Sequence, residues 1–288
     1  MLSRFGRVVD NASLSDYTTY KLVGKIDKVV YPSSVSDLRE LILYLNENNI
    51  KYMVLGNGSN VIIGDYHGVV IKLDDFDFLD INGDVLKVGA GYSLIKLAIE
   101  VANMGLKGLE FAAGIPAQVG GAVYMNAGAY NASLSDVILN VTVLTDDGRV
   151  LVLNNDDLNF GYRYSLLMEK RYVCLDATLK LEYADKDEIM EIIKRRRQRR
   201  IETQPLSFPS AGSVFRNPFG DYAGRLIESA GLKGMSVGGA SVSLKHANFI
   251  VTDGKASFND VVLLIDMVKK RVKEDYDIDL KVEQIIVE

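Results

Sequence analysis

One serine of this sequence stands among small residues, in the stretch PSAGSVFRNP. Acyl-transfer enzymes expose a nucleophilic serine in a similar setting, with the pattern G-x-S-x-G. Residues 211–215 read AGSVF instead, and only two histidines, His67 and His246, could act as the base. These features argue against a nucleophile, so Ser213 needs another role.

Arg163 and His246 are two further side chains that could do chemistry. An arginine in an aromatic segment such as FGYRYS commonly stacks on a neighbouring ring at the surface, here Tyr162 or Tyr164. The alternative is a fixed positive charge that contacts a ligand. His246, in SLKHANFIV, is typical of a histidine with satisfied hydrogen bonds, and catalysis is the less common alternative.

Glu283 is the carboxylate of an apolar segment near the C-terminus, LKVEQIIVE. We expect its neighbours Val282, Ile285 and Ile286 to be buried. Burial of an unpaired carboxylate is costly, so Glu283 needs either a partner or a function.

Two glycine-rich stretches could bind an anion. The first, GNGSN (56–60), begins like a dinucleotide fingerprint, but its third glycine is missing and a strand rather than a helix follows. Its consecutive backbone N–H groups can still form an anion-binding nest, with a plain turn as the alternative. The second stretch, 108–131, has no helical or strand periodicity and adds donors around Gly114, Gly120 and Gly121. Two such loops without a Gly-Lys-Ser/Thr motif predict a dinucleotide bound between two lobes.

A basic run, KRRRQRR (194–200), has six cations in seven residues of a predicted helix. A solvated helix face is the default interpretation, and a diphosphate clamp by the last arginines is the functional alternative. Nucleic-acid binding is disfavoured because the net charge is −5 and no aromatic residues interleave with the run.

Hydrophobic periodicity predicts the elements that carry these residues. Strand 26–32, helix 33–49 with Ser34 as N-cap, and strand 51–55 form a β-α-β unit, after which 61–73 reads as strand. The other predicted elements are a strand at 85–91, a helix at 92–105, a hairpin at 137–154 with an Asp-Gly turn, helices at 185–200 and 257–276, and a strand at 279–288. This order indicates an α+β protein of two or three lobes.

The composition is that of an ordinary globular protein, with 48% hydrophobic and 25% charged residues among 288. The sequence contains no apolar run long enough for a signal peptide or a membrane span, so we expect a cytoplasmic protein without membrane insertion. Its single cysteine, Cys174, lies in an alternating strand pattern typical of a buried thiol. No Cys/His cluster predicts a metal site.

Seven motifs occur in an order known from one family: LGNGSN, GLEFAAGIPAQVGGAVYMNAGAY, GYRYS, SAGSVFRNP, AGRLIESAGLKG, SLKHANFIV and the near-terminal Glu283. Over nearly its whole length the chain resembles the UDP-N-acetylenolpyruvoylglucosamine reductases, in the compact form that lacks an inserted substrate loop. The resemblance implies an α+β fold, with a two-lobed FAD-binding domain of the vanillyl-alcohol-oxidase type and a smaller α+β substrate domain. The implied division is 1–78 and 79–200 for the FAD lobes, 201–275 for the UDP-sugar domain, and 276–288 for a C-terminal strand that carries Glu283 to the active site.

The same resemblance implies a reaction of peptidoglycan precursor synthesis. NADPH reduces non-covalently bound FAD, hydride passes from flavin N5 to C3 of the enolpyruvyl group of UDP-N-acetylglucosamine enolpyruvate, and a proton reaches C2, giving UDP-N-acetylmuramate. Ser213 matches the family's proton donor. Arg163 and Glu283 match the pair that polarises the substrate carboxyl group.

The binding residues implied by the resemblance are more numerous, and the protein is expected to be a monomer. FAD would contact Gly56, Asn57, Gly58, Ser59, Asn60, Gly114, Gly120, Gly121 and Ala122. The substrate would contact Tyr162, Arg200, Arg216, Asn217 and His246.

Four positions depart from the family pattern. Lys25 and Asn131 stand where glycines are usual, Thr203 where a lysine is frequent, and Ile285 where an arginine is usual. The last two positions lack a positive charge that the family often has there, and the basic run upstream is one source of compensation.

Two other functions compete with this interpretation. One is another flavin oxidoreductase of the same fold, such as an alcohol oxidase, which a covalent flavin link would favour; His67 lies outside both glycine loops. The other is a UDP-sugar-binding or nucleic-acid-binding protein without catalysis.

Overall fold

The computed structural model describes residues 2–287. Its α-helices are α1 Val35–Glu47, α2 Leu94–Asn103, α3 Val119–Tyr124, α4 Lys186–Thr203, α5 Ala223–Ser229 and α6 Phe258–Tyr276. Its strands are β1 Arg7–Ser13, β2 Lys25–Tyr31, β3 Tyr52–Val54, β4 Val61–Ile63, β5 Tyr66–Ile71, β6 Leu79–Asn82, β7 Val85–Gly89, β8 Leu106–Lys107, β9 Gly128–Ala129, β10 Ala132–Ser133, β11 Ile138–Leu144, β12 Val150–Asn154, β13 Val173–Lys180, β14 Glu182–Tyr183, β15 Ser236–Val237, β16 Ala240–Val242, β17 Ile250–Thr252 and β18 Ile285–Val287.

The first of two compact units comprises Met1–Asp10, Lys28–Asn57 and Gly68–Gln198. Its largest sheet is antiparallel, in the order β12-β11-β13-β7-β6. The predicted hairpin at 137–154 is confirmed as β11 and β12. The predicted core thiol, Cys174, is buried in β13.

The β-α-β unit is also confirmed. Ser34 caps α1 by accepting a hydrogen bond from the backbone N–H of Asp37, and the apolar stripe from Leu38 to Leu45 is buried. The strands join a sheet in the order β1-β2-β5-β3, in which β3 and β5 are parallel.

The second unit comprises Asn11–Asp27, Gly58–His67 and Arg199–Glu288. Strands β15, β16 and β17 form an antiparallel sheet, and β18 pairs in parallel with β4. The predicted C-terminal helix is confirmed as α6, which begins with a capping box between Ser257 and Asp260 and buries its stripe from Val261 to Val272.

Three expectations about local structure were wrong. The stretch 108–131 contains a short helix, α3, although its small residues show no helical period. The segment 61–73 forms two strands in different sheets, β4 and β5, because Gly64 and Asp65 interrupt the extended structure. The C-terminal strand, expected from 279, begins only at Ile285.

No described helix is long and apolar enough to cross a membrane. Within residues 2–287, no group of His, Cys, Asp and Glu side chains could hold a metal ion. The division at residues 78, 200 and 275 stays a prediction.

Candidate active site

In the first unit, the residues that begin the first glycine-rich stretch, Gly56 and Asn57, lie against the second stretch. The side-chain amide of Asn57 donates to the carbonyl oxygen of Pro116 at 3.2 Å. A Cβ atom on Gly56 would lie 3.5 Å from Oε1 of Gln118. Segments about 60 residues apart in sequence therefore form one wall, and the binding of a dinucleotide there stays a prediction.

A buried lysine supports this wall. Lys72 Nζ donates to the carbonyl oxygen of Gly56 at 2.6 Å and lies 3.4 Å from a carboxylate oxygen of Asp74. Asp74 also accepts a hydrogen bond of 2.9 Å from Gln118. Burial lowers the pKa of Lys72, and Asp74 partly offsets this. Sequence reasoning missed this network, although a lysine at the end of the apolar run VVIKL was a usable signal.

The glycines at the start of α3 have different roles. The N–H of Gly120 donates to Ala90 O at 2.8 Å, and a Cβ atom there would lie 2.9 Å from Ala90 Cβ. Gly121 is exposed, nothing lies near its Cβ position, and its N–H donates to no described residue. Packing therefore explains Gly120, and Gly121 is available to a ligand. Gly114 ends a 3-10 helix, and the N–H of Ala122 donates to Gln118 O.

The loop GNGSN has the backbone of an anion nest. Gly58 has a φ of 61°, and a Cβ atom there would lie 2.3 Å from Tyr17 O. Its carbonyl oxygen accepts hydrogen bonds from the backbone and the hydroxyl group of Thr19. Among residues 2–287, none accepts a bond from the N–H groups of 57–60. These free donors fit an anionic diphosphate such as that of FAD.

Arg163 lies in a tight turn of the first unit. Gly161 and Tyr164 exchange two backbone hydrogen bonds of 3.0 and 3.2 Å, and Arg163 has a left-handed φ of 55°. Its guanidinium donates to Gly128 O at 2.8 Å and lies 5.1 Å from the centroid of the exposed Tyr162 ring. A left-handed arginine costs about 1 kcal/mol or more, and such strain is common at functional sites.

A buried asparagine holds this turn. Asn126 donates to Gly161 O at 2.9 Å and accepts from the backbone N–H of Ser135 at 3.0 Å. Its own φ is 42°, which asparagine tolerates better than most residues. Sequence reasoning did not assign Asn126 a role, because both bonds join residues distant in the sequence.

The departure at Asn131 has a local explanation. Tyr130 and Asn131 form the two-residue turn between β9 and β10, with φ values of 56° and 60°. Asparagine adopts this conformation readily, so glycine is not needed there. The Tyr130 ring lies 4.6 Å from the guanidinium of Arg196, which belongs to the basic run. Most of the run's other cations are exposed, as the solvated-face interpretation predicts.

Ser213 is half-buried in the second unit, and its hydroxyl group makes no hydrogen bond to any described residue. The backbone after it is held firmly. Val214 donates to Asn248 O at 2.9 Å, and its carbonyl oxygen accepts from the N–H of Glu283 at 2.8 Å. The side chain of buried Asn248 exchanges two hydrogen bonds with the backbone of Phe215. This loop therefore fixes a serine whose hydroxyl remains available.

The surroundings of Glu283 differ from the expectation. Val282 and Ile285 are only half-buried and Ile286 is exposed, whereas Gln284 is buried. The strand begins only at Ile285, after Glu283, and its residues alternate between half-buried and exposed. Pairing of β18 with β4 places the segment beside Asn60, which donates to Glu283 O at 3.4 Å.

His246 is a partly buried, hydrogen-bonded histidine. Its Nδ1 accepts from the backbone N–H of Asn248 at 3.2 Å, and its ring packs edge-on against Phe249. Burial lowers the pKa of His246, and nearby Lys233 lowers it further, while Glu228 opposes them. These contacts favour a neutral ring.

The remaining predicted substrate residues of this unit make local contacts. Asn217 accepts a hydrogen bond from the N–H of Ala223 at the start of α5. The N–H of Arg216 donates to Lys281 O, and Arg200 donates to Gln204. Their binding roles stay predictions.

Comparison with known proteins identifies both parts of the chain. A family model described as an FAD binding domain matches residues 26–154. A second, described as the UDP-N-acetylenolpyruvoylglucosamine reductase C-terminal domain, matches residues 204–287. The UDP-N-acetylenolpyruvoylglucosamine reductase of Bacillus subtilis is 46% identical over 286 residues, which cover 98% of this chain and 94% of that protein.

Solved structures agree. The crystal structure of UDP-N-acetylenolpyruvylglucosamine reductase from Thermus caldophilus superposes with a TM-score of 0.85 at 38% identity, covering 99% of this chain and 100% of that one. A chitooligosaccharide oxidase shares the fold alone, with a TM-score of 0.50 at 19% identity over 63% of this chain and 42% of that one. The chain therefore belongs to the UDP-N-acetylenolpyruvoylglucosamine reductase family, the FAD-dependent oxidoreductases of peptidoglycan precursor synthesis that use NADPH.

Proposed function

We propose that this chain reduces the enolpyruvyl group of UDP-N-acetylglucosamine enolpyruvate to give UDP-N-acetylmuramate, with Ser213 as the proton donor to C2. The observation that carries this assignment is the combination of a fixed backbone around Ser213 with a hydroxyl group that bonds to no described residue. A positioned donor of this kind accelerates a proton-transfer step by about 10²–10⁴-fold.

The chemistry that bound FAD would supply is hydride transfer from NADPH to C3 of the enolpyruvyl group. The free backbone N–H groups of 57–60 and Gly121 would hold the diphosphate of FAD. Lys72 would keep the loop in place through Gly56.

Addition of hydride at C3 leaves negative charge on C2 and the adjoining carboxyl group. Arg163 would stabilise that charge, because its turn and its bond to Gly128 fix the guanidinium in advance. Glu283 would act with it in polarising the carboxyl group. The Ser213 hydroxyl then gives its proton to C2, and solvent restores it.

Anaerobic titration of the purified protein tests this function. NADPH should bleach the flavin absorbance, and UDP-N-acetylglucosamine enolpyruvate should restore it with formation of UDP-N-acetylmuramate. UDP-N-acetylglucosamine, which lacks the enolpyruvyl group, is the control and should leave the flavin reduced. A colourless protein, or a reduced flavin that the enolpyruvyl substrate does not reoxidise, would refute the proposal.

Two broader predictions from the sequence accompany this proposal, a cytoplasmic location and a monomeric state. Size-exclusion chromatography with light scattering would test the second.

A further inference from the structure

Gln284 has a position that neither the predicted site nor the family assignment explains. The residue is 4% exposed and directly follows Glu283 in the chain. Its Nε2 donates to Ala211 O at 2.9 Å and to Gly212 O at 3.3 Å, and its Oε1 accepts from the Tyr20 hydroxyl at 2.9 Å. A buried amide therefore joins the C-terminal segment to the two residues before Ser213.

Only one orientation of this amide satisfies its partners. The carbonyl oxygens of Ala211 and Gly212 can only accept hydrogen bonds, so Nε2 must face them. Oε1 must then face Tyr20, whose hydroxyl must donate. Tyr20 is fully buried, and burial raises the pKa of its phenol, which keeps it a donor. The orientation of Gln284 is therefore locked.

The carbonyl groups that Gln284 holds set the direction of the chain into Ser213. Gly212 has a φ of 76°, which glycine adopts and leaves without strain, so the backbone alone does not fix the loop. On the other side of Ser213, Val214 is bonded to Asn248 and Glu283. The serine thus lies between two anchored segments, and Gln284 supplies the first anchor.

We propose that Gln284 is a positioning residue for proton transfer, which directs the Ser213 hydroxyl towards the substrate by holding the carbonyl groups of Ala211 and Gly212. The inference rests on the proposed role of Ser213. It adds a residue that touches neither substrate nor cofactor and acts only through the loop.

The main test is Gln284→Met in the flavin-loaded enzyme, which keeps the volume and removes the amide. Misplacement of a reacting group by about 1 Å can cost about 10²-fold in rate. We therefore expect the reoxidation of reduced enzyme by enolpyruvyl substrate to slow by about 10²-fold. The reduction of the flavin by NADPH should be unchanged, and the solvent deuterium isotope effect on reoxidation should rise.

A double-variant cycle shows whether the effect passes through Ser213. If it does, Ser213→Ala combined with Gln284→Met should be no slower than Ser213→Ala alone, because coupled residues do not add. Tyr20→Phe provides a second route if Gln284→Met fails to fold. This variant removes the hydrogen bond to Oε1 of Gln284 but keeps the amide. It should therefore slow reoxidation less than Gln284→Met does, and it should have no effect on reoxidation in the Ser213→Ala background.

Thr252→Val is the matched control. Thr252 is buried and its hydroxyl donates to Tyr20 O at 2.7 Å, so this variant loses a buried bond to the same tyrosine without touching the loop carbonyls. It should lower stability and leave the ratio of the two half-reactions unchanged.

The outcomes separate the two proposals. Equal slowing of both half-reactions by Gln284→Met, or additive losses in the cycle, would overturn the positioning role while the role of Ser213 stands. A Ser213→Ala enzyme that reoxidises at the normal rate would overturn the role of Ser213 itself, and positioning through it as well.

Discussion

Arg163 and Ser213 are presented by two different backbone arrangements, although each depends on a buried asparagine. Asn126 holds the turn of Arg163 through Gly161 O, and Asn248 holds the loop of Ser213 through Phe215. At the turn, Arg163 itself adopts the left-handed conformation. At the loop, the left-handed conformation falls on the preceding residue, Gly212, which tolerates it without strain.

The side chains of Arg163 and Ser213 also differ in their hydrogen bonding. The Arg163 guanidinium is already bonded to Gly128 O, whereas the Ser213 hydroxyl has no partner within residues 2–287. A charge that stabilises a transition state works best when it is fixed beforehand. A proton donor must be positioned yet remain free to release its proton. The two arrangements suit the two roles that we propose for Arg163 and Ser213.

The largest expected effect comes from Ser213→Ala. It should slow reoxidation of the reduced enzyme by enolpyruvyl substrate by about 10²–10⁴-fold and leave flavin reduction by NADPH unchanged. Stopped-flow measurement of both half-reactions checks this. An equal loss of rate in the two half-reactions would mean that Ser213 has only a structural role. The contrast between a free proton donor and a fixed charge would then not hold for Ser213.

Arg163→Ala should follow, with a loss in kcat of about 10²–10³-fold, the usual cost of removing a fixed donor from developing negative charge. Arg163→Lys sharpens the test, since it keeps the charge but not the planar guanidinium bonded to Gly128. Steady-state kinetics measure both variants. Normal turnover by the alanine variant would remove Arg163 from the mechanism.

Arg163→Gly tests the strain rather than the chemistry. Glycine accepts a φ of 55° without cost. The free energy of unfolding of this variant should therefore be about 1 kcal/mol larger than that of Arg163→Ala. Both variants should show the same loss in kcat. Urea denaturation gives the difference, and equal stability would show that the left-handed turn carries no strain.

The smallest expected effect is a change in stability with pH. It concerns His246, which lies in the same unit as Ser213. Because the pKa of His246 is lowered in the folded protein, the unfolded chain binds the proton more readily. The contribution of neutral His246 to the free energy of unfolding is therefore complete above the ordinary pKa of 6.5, and it is lost as the pH falls below that value. Protonation would also break the bond that Nδ1 accepts from Asn248.

Unfolding measured between pH 7.5 and 5.5 should show this loss in the parent protein and a weaker one in His246→Gln. Hydrogen exchange should increase at Asn248 and not at Asn126. An identical pH dependence in the two proteins would contradict the assignment.

The long helices and several of the strands were predictable from the sequence. The stripes of α1 and α6, the cap at Ser34 and the hairpin of β11 and β12 follow from local patterns that tertiary structure did not override. The short helix α3 could not be predicted, because Gly120 is chosen by its packing on Ala90 and not by helix propensity. The break at Gly64 is similar, since a Cβ atom there would lie 3.1 Å from the Phe258 side chain.

The sequence by itself determined the family, the types of residue available for chemistry, the long helices and several of the strands, because motifs and periodicity are local. Only the tertiary structure decided how those residues are held. Four buried side chains act through hydrogen bonds to backbone groups distant in the sequence, those of Asn126, Asn248, Gln284 and Lys72. No spacing in the sequence encodes such partners. A buried amide is stable only when all its partners are present at once, so its role appears only in the folded chain.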